Sequence, residues 1–347
     1  MKQWLETRQV IDAIGALNRA GKRAALATVI RVRGSAYRHE GAKLVVESDG
    51  SSTGNVSGGC LEEDVRAVAE RVMTTGIPER RSYCGGANEI AAWDLGVGCE
   101  GEVEILIEPV ISHQSSVLSV MRDEVGFVIV TDLGAVLRGV VDGAHRVLRG
   151  AEASEWIGGG ESRLEMRDGR EFFIDVLEPP PRLLVVSGGD DARHLVRLAD
   201  SVGFRVVVAD RRPGLLTAGR FPATVHCVET DAARLGERVV LDADSFAVVM
   251  THHFADDTDY LRALLQSPVR YLGVLGPRQR TEQILGILRG EGPVDDARIF
   301  GPVGLDIGTD GAEQVALAVV AELLAVRSGR RPRSLRERAA PIHASGD

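Results

Sequence analysis

The stretch "RLLVVSGGDDARHLVRLADSVGFRVVVAD", residues 182–210, decides the reading of the C-terminal half. A short apolar run ends in glycine, an amphipathic helical segment follows, and a second apolar run closes on Asp210. The alternation repeats downstream: "SFAVVMTHH" reads as a strand, "DTDYLRALLQ" as a helix, "VRYLGVLG" as a strand and "RTEQILGILRG" as a helix. Short apolar strands alternating with amphipathic helices require a parallel sheet covered on both faces. The expected fold here is α/β, a Rossmann-like doubly wound parallel sheet. A last helix is expected over roughly 311–327, opened by Asp310 with Glu313 three residues later as a variant capping box.

The same stretch nearly carries a dinucleotide fingerprint. In G-x-G-x-x-G/A the first glycine makes the tight turn, the second admits the pyrophosphate and the third position lets the helix pack closely. Ser187, Gly189 and Ala192 hold those three slots, and Asp210 stands where an acid would bind a ribose. Asp190 and Asp191 open the helix with negative charge, which competes with phosphate for the positive end of its dipole. Two readings stay open, an NAD(P) site and a Rossmann core that binds no dinucleotide. Other side chains follow the later strands, at the sheet end where such folds hold ligands: His252 and His253, then Arg278 and Arg280 beside a helix start, where guanidinium and dipole together suit a phosphate. Asp256, Asp257 and Asp259 are read as first-turn helix acids.

Toward the N-terminus, "LEPPPRLLVV" contains three consecutive prolines, Pro179, Pro180 and Pro181, a connector that neither helix nor central strand tolerates. The expected division is residues 1–110, an N-terminal α+β domain; 111–178, a β-rich extension and connector; 179–329, the Rossmann-like domain; and 330–347, a mobile tail. The first residues read as a helix with Val10, Ile11, Ile14 and Leu17 on one face. Strands are expected at 24–32, 43–47 and 103–107, with a helix from about Leu61 to Met73. "GFVIVTD" and "EFFIDVL" read as strands of the extension.

A chain of 347 residues is long for one hydrophobic core, which favours two domains. Its 41 basic against 50 acidic residues give a net charge of -9, which repels phosphate backbones and excludes nucleic acid as a general partner. No apolar run reaches the ~18 residues of a membrane span, and the periodic N-terminal helix is not a signal peptide, so the expected location is the cytoplasm.

Four cysteines, at 60, 84, 99 and 227, have neither the density of a disulfide scaffold nor the close pairs of a zinc site, and read as free thiols. Two lie in glycine-rich turns. In "GNVSGGCLEEDV", residues 54–65, the amphipathic pattern starts at Leu61, which places Cys60 at the N-cap or first position of a helix. The positive end of a helix favours thiolate, the form that binds soft metals and attacks sulfur. The amides of Ser57, Gly58 and Gly59 are candidates for an anion-binding nest, while Glu62 and Glu63 oppose the thiolate. Cys99 stands in a similar turn just before a strand. Cys84 has weaker context, and Cys227 reads as a strand filler.

With these motifs on the page, the chain resembles the XdhC/CoxI family, accessory proteins of molybdenum hydroxylases. The matching stretches are "GSAYRHEGAKLVV", "GNVSGGCLEEDV", "DLGVGCEGEVEILIEP", "ADRRPGLLTAGRFPA", "YLGVLGPRQRTEQIL" and "GPVGLDIGTDGAEQVALAVVAEL", in family order. The resemblance implies a cofactor-insertion chaperone rather than a classical enzyme. Such a protein binds molybdenum cofactor, protects it while a cysteine desulfurase supplies sulfur, and inserts it into an apo-hydroxylase such as xanthine dehydrogenase. It implies a homodimer, and it carries the family's two cysteines over to Cys60 and Cys99 as molybdenum contacts. Two positions depart from the family pattern: Glu100 follows the second cysteine in place of glycine, and Ser187 opens the nucleotide turn in place of glycine. The rival readings are an NAD(P)-dependent oxidoreductase using Asp210 and a nucleotide-sensing Rossmann protein.

Overall fold

The computed structural model describes residues 2–34, 36–84, 101–110, 117, 121, 125–140, 143–158 and 160–338. Among them the chain divides into two compact units, Lys2–Pro179 and Pro180–Arg338. Among the described residues no helix is long and apolar enough to cross a membrane.

The first unit is built on a five-stranded antiparallel sheet. Its strands are β1 (Ala24–Arg33), β2 (Lys43–Glu47), β3 (Ser52–Gly54), β4 (Glu79–Cys84) and β5 (Glu102–Pro109), in the order β3-β2-β1-β5-β4. The three strands expected in this region are present, two of them slightly longer. Both faces of β1 are covered. Ala25, Ala27 and Val29 pack against Val65, Val68 and Val72 of the helix Glu62–Thr75, while Ala24 and Leu26 pack against Val10, Ile11 and Ile14 of the helix Lys2–Arg19. That is why the strand begins with an unbroken apolar run rather than an alternating one.

A second antiparallel sheet belongs to the same unit: β6 (Phe127–Asp132), β7 (His145–Arg149), β8 (Arg163–Arg167) and β9 (Arg170–Leu177), in the order β7-β6-β9-β8. Phe127 and Leu177 share a core with the first helix, and Leu133 and Phe173 share one with Ile30 and Leu106. A buried ion pair crosses between the sheets, Lys43 on β2 donating to Asp175 on β9 and to the Gly41 carbonyl at 2.9 Å.

The second unit is a six-stranded parallel sheet of β10 (Arg182–Val186), β11 (Arg205–Asp210), β12 (His226–Glu229), β13 (Phe246–Val249), β14 (Tyr271–Val274) and β15 (Ile299–Phe300). The order is β12-β11-β10-β13-β14-β15, with every pairing parallel. Alternate residues of β10 face two cores. Leu183 and Val185 pack against the helices Asp190–Ser201 and Ala312–Ser328, and Leu184 and Val186 against Phe254–Leu265 and Arg278–Glu291. This is the expected doubly wound sheet, and its order reverses between β10 and β13, the switch point at which such folds open a crevice. The last helix differs from expectation at its start. Gly311 is the N-cap, and the side chain that accepts from the Asp310 amide belongs to Gln314 (2.8 Å), not Glu313.

Candidate functional site

The turn before Cys60 is held by its own side chains. Asn55 Oδ1 accepts from the amides of Ser57 (3.0 Å) and Gly58 (2.6 Å) and from Arg38 Nε (3.2 Å), while Arg38 also pairs with Glu6. Glu62, only 6% exposed, turns back to accept from the amides of Val56 (3.3 Å) and Ser57 (3.0 Å) and from the Ser57 hydroxyl. Ser57 Oγ accepts from the amides of Gly59 (3.2 Å) and Leu61 (2.9 Å). Burial works to raise the Glu62 pKa, but the Ser57 hydroxyl and the backbone N–H groups outweigh it and leave it below the usual carboxylate range. Gly58 has a left-handed φ of 93°, which favours glycine, and a Cβ there would stand 2.6 Å from the ring of the exposed Tyr37, which would have to move.

Two expectations change at this turn. The helix starts at Glu62 with Leu61 as its N-cap, so Cys60 lies one residue outside the helix. The amides of Ser57, Gly58 and Gly59, expected as an anion cradle, already have acceptors, and an incoming anion must displace them. Cys60 is half-buried against the first unit's core and lines a small pocket with Tyr37, Arg38, Ser57 and Tyr83. Tyr37 is 70% exposed. The Tyr83 hydroxyl donates to Asp64 (2.6 Å), and burial together with that carboxylate pushes its pKa up. Cys99 lies outside the described residues; Gly101, two residues later in sequence, lines the same pocket. Cys84 is exposed at the end of β4. Cys227 sits partly buried on β12, and burial pushes its thiol pKa up. Among the described residues no group of three or more His, Cys, Asp or Glu side chains is arranged to hold a metal ion.

The Rossmann turn is likewise occupied by its own chain. Ser187, 2% exposed, has a φ of 154°, a backbone state in which glycine is at ease, and its Oγ accepts from the Gly189 amide (3.0 Å). Asp210, 4% exposed, does not offer a free carboxylate to a ribose. One oxygen accepts from the Gly188 amide (2.8 Å) and Arg212 Nη2 (2.9 Å), the other from the Arg212 amide and Nε, both at 2.9 Å. Burial opposes its ionisation, yet the Arg212 bonds and the Gly188 amide prevail and lower its pKa. Arg220 clamps the same turn, bonding the Gly188 carbonyl (3.0 Å) and Asp190 (2.7 Å). Leu215 stands where any side chain at residue 188 would go, 2.8 Å from the position of a Cβ. Ribose acid and pyrophosphate turn are thus both engaged within the chain, and a dinucleotide must displace these bonds to bind there.

Of the two arginines, Arg280 is committed. Its guanidinium pairs at 2.6 Å with Asp257, which is 1% exposed and is bonded by the Thr251 amide and hydroxyl as well. Asp257 is thus a first-turn helix acid, as expected, and also anchors a buried network. Arg278 is exposed in the first turn of its helix. His253 is the N-cap of the helix Phe254–Leu265, its ring accepting from the Asp256 amide (3.3 Å). His252 has a left-handed φ of 62° and sets Nε2 3.1 Å from Asp191. The candidate residues thus fall into two sets: Cys60 with Ser57, Gly58 and Gly59 in the first unit, and Gly189, Asp210, His252, Arg278 and Arg280 in the second. Sequence reasoning missed Tyr37, the Asp191–His252 pair and the role of Arg212; only the last had a local signal, an arginine two residues after the acid in "ADRRP".

Comparison with known proteins bears on both units. A family model for the XdhC Rossmann domain matches residues 183–323, and one for the XdhC and CoxI family matches residues 17–84. A protein of Bacillus subtilis (strain 168), named as a probable subunit of xanthine dehydrogenase, is 30% identical over 322 residues, covering 88% of this chain and 93% of its own. The molybdenum cofactor insertion chaperone PaoD of Escherichia coli (strain K12) is 24% identical over 311 residues, covering 89% of this chain and 85% of its own. A crystal structure from Bacillus halodurans, described as a xanthine dehydrogenase, superposes with a TM-score of 0.76 at 29% identity, covering 94% of this chain and 98% of that one. The chain therefore belongs to the XdhC and CoxI family.

Proposed function

We propose that this protein is a carrier of molybdenum cofactor: it binds the cofactor, protects it during sulfuration and inserts it into an apo-molybdenum hydroxylase such as xanthine dehydrogenase. One observation carries the reading. The half-buried thiol of Cys60 lines a pocket walled by Tyr37 and Tyr83, within the segment that the family model matches. Thiolate sulfur is a soft ligand suited to a thiol-rich molybdenum centre, and a partly open pocket lets a ligand be bound and given up. The relative named as a molybdenum cofactor insertion chaperone supports the cargo, and the one whose name refers to xanthine dehydrogenase supports the recipient.

In this reading the cofactor is cargo, and the chain's own residues supply grip and shelter. Ser57 and Glu62 fix the turn that presents Cys60, Tyr37 and Tyr83 flank its pocket, and Cys99 is the second sulfur contact. In the second unit Arg278, exposed at a helix start, is a separate candidate for a phosphate group. The proposed partners are the hydroxylase and a cysteine desulfurase, with the carrier acting as a cytoplasmic homodimer.

The test is anaerobic purification with molybdenum and pterin assayed on the same samples, for wild type, Cys60→Ala and Cys99→Ala. Wild type is expected to retain both in equal amounts, and each variant to lose most of them. Equal retention in all three overturns the thiol assignment. Tight NAD(P)H uptake with no pterin overturns the carrier reading itself.

A further inference from the structure

The second unit holds a cavity of about 470 Å³ that none of the site residues discussed above fills. It opens at the carboxyl ends of β13 and β14, on the sheet face covered by the helices Asp190–Ser201 and Ala312–Ser328. Its lining is largely aliphatic, with Leu195, Val248, Val303, Val315 and Val319 among the residues. Small residues, Gly276, Gly311 and Ala312, also line it. The volume is that of an ordinary small-molecule site.

Polar groups are few, and their chemistry is selective. Among the lining residues the only ionisable side chains are Asp191 and His252, the pair joined at 3.1 Å, and no lysine or arginine lines the cavity. The Asp191 carboxylate, with no lysine or arginine in the lining, favours a hydrogen-bond donor over an anionic group at that end of the cavity. One Asp191 oxygen lies 3.1 Å from His252 Nε2 at the half-exposed mouth of the cavity, and a carboxylate has acceptor capacity on both oxygens. An acceptor-only group is satisfied by two adjacent N–H donors, such as the ring N–H and exocyclic amine of a 2-amino-4-oxopyrimidine edge. Adenine presents one donor beside one acceptor on the corresponding edge and matches it less well. An aliphatic lining with one polar end suits a ring with a donor edge.

We infer that this cavity binds a planar heterocycle through a 2-amino-4-oxopyrimidine edge read by Asp191, which lies beside His252 at its mouth. Pterins and guanine nucleosides share this edge. For the pterin the inference rests on the carrier reading above; for guanine it does not. It also separates ring recognition from the dinucleotide turn of the same unit, whose donors and acid are already engaged.

Equilibrium dialysis of the full chain against pterin, guanosine, inosine and NAD+ tests it, with wild type, Asp191→Asn and Ala312→Trp compared after melting curves confirm that each is folded. Ala312 lines the cavity and is only partly buried, so an indole there takes up ligand space. Pterin or guanosine is expected to bind wild type about tenfold or more tighter than inosine, which lacks the amine, and than NAD+. Each substitution is expected to weaken that binding by about tenfold or more. Stronger pterin binding identifies the cofactor's ring as the natural occupant, and stronger guanosine binding identifies a nucleotide. The inference is overturned if neither ring binds, if both variants bind like wild type, or if NAD+ or inosine binds as tightly. Such a failure leaves molybdenum retention by Cys60 unaffected, so the two proposals fail separately.

Discussion

The two glycine turns of this molecule, one before Cys60 and one after β10, look alike in sequence and solve the same physical problem in the same way. Each ends a strand region, needs unusual backbone and leads into a helix. In each, a serine hydroxyl accepts from amides a phosphate would otherwise use: Ser57 from Gly59 and Leu61, Ser187 from Gly189. In each, a buried carboxylate takes another, Glu62 from Ser57 and Asp210 from Gly188. They differ in what remains available. The first turn leaves a thiol at the edge of a pocket, whereas the second leaves only a closed loop, and the open space of that unit lies to one side, under Asp191 and His252. A glycine-rich turn at a helix start is therefore not in itself an anion site; what decides is whether its N–H groups are already engaged.

Substitutions that free those groups break the comparison in a graded way. The largest effect is expected for Ser57→Ala, which removes the acceptor of two amides and the hydroxyl donor to a buried carboxylate. A loss of about 3 kcal/mol in urea unfolding follows from one charged hydrogen bond plus an orphaned buried N–H. The same variant shifts the pH profile. Glu62 has its folded pKa below the ordinary 4.5, so the stability it contributes is complete above that value and is lost as pH falls from there through the folded value. Without the Ser57 hydroxyl the folded value rises and that contribution shrinks, so wild type and variant converge under acid. Identical acid profiles with a constant gap would contradict this assignment.

Asp210→Ala is expected to cost less, about 2 kcal/mol, because Arg212 is 48% exposed and returns its charge to water, leaving mainly the Gly188 amide unsatisfied. The smallest effect is expected for Ser187→Gly. Relief of the backbone at φ 154° is offset by loss of the Gly189 bond, leaving stability within about 1 kcal/mol of wild type. That variant restores the glycine of the dinucleotide fingerprint, yet NAD+ binding by calorimetry should not appear, since Arg212 still occupies Asp210. Tight NAD+ binding by this single variant would show that the serine alone closes the turn.

The sequence made the parallel sheet legible because β10, β11, β13 and β14 are short apolar runs separated by amphipathic helices, a pattern with one economical packing solution. It also located Cys60 and Asp210 in their turns. It misplaced the helix start by one residue, since the Ser57 side chain reaches the Leu61 amide and no periodicity reports a bond across the turn. It read Glu62 as an acid facing the thiol's helix end, whereas the carboxylate folds back onto Ser57 and Val56. Arg280 looked available because its partner, Asp257, belongs to another helix. The Asp191–His252 pair joins residues 61 positions apart through the reversal of strand order at β10 and β13, which sequence spacing cannot express.

Hydrogen exchange at the Ser57, Leu61 and Gly188 amides, followed by NMR across a urea series, tests most directly the claim that both turns consume their own donors. The account predicts that all three exchange only through cooperative unfolding of their unit, with a urea dependence as steep as that of its core strands. Fast exchange at these amides, insensitive to urea, would contradict it, because it would mean that the turns stand open to an incoming anion.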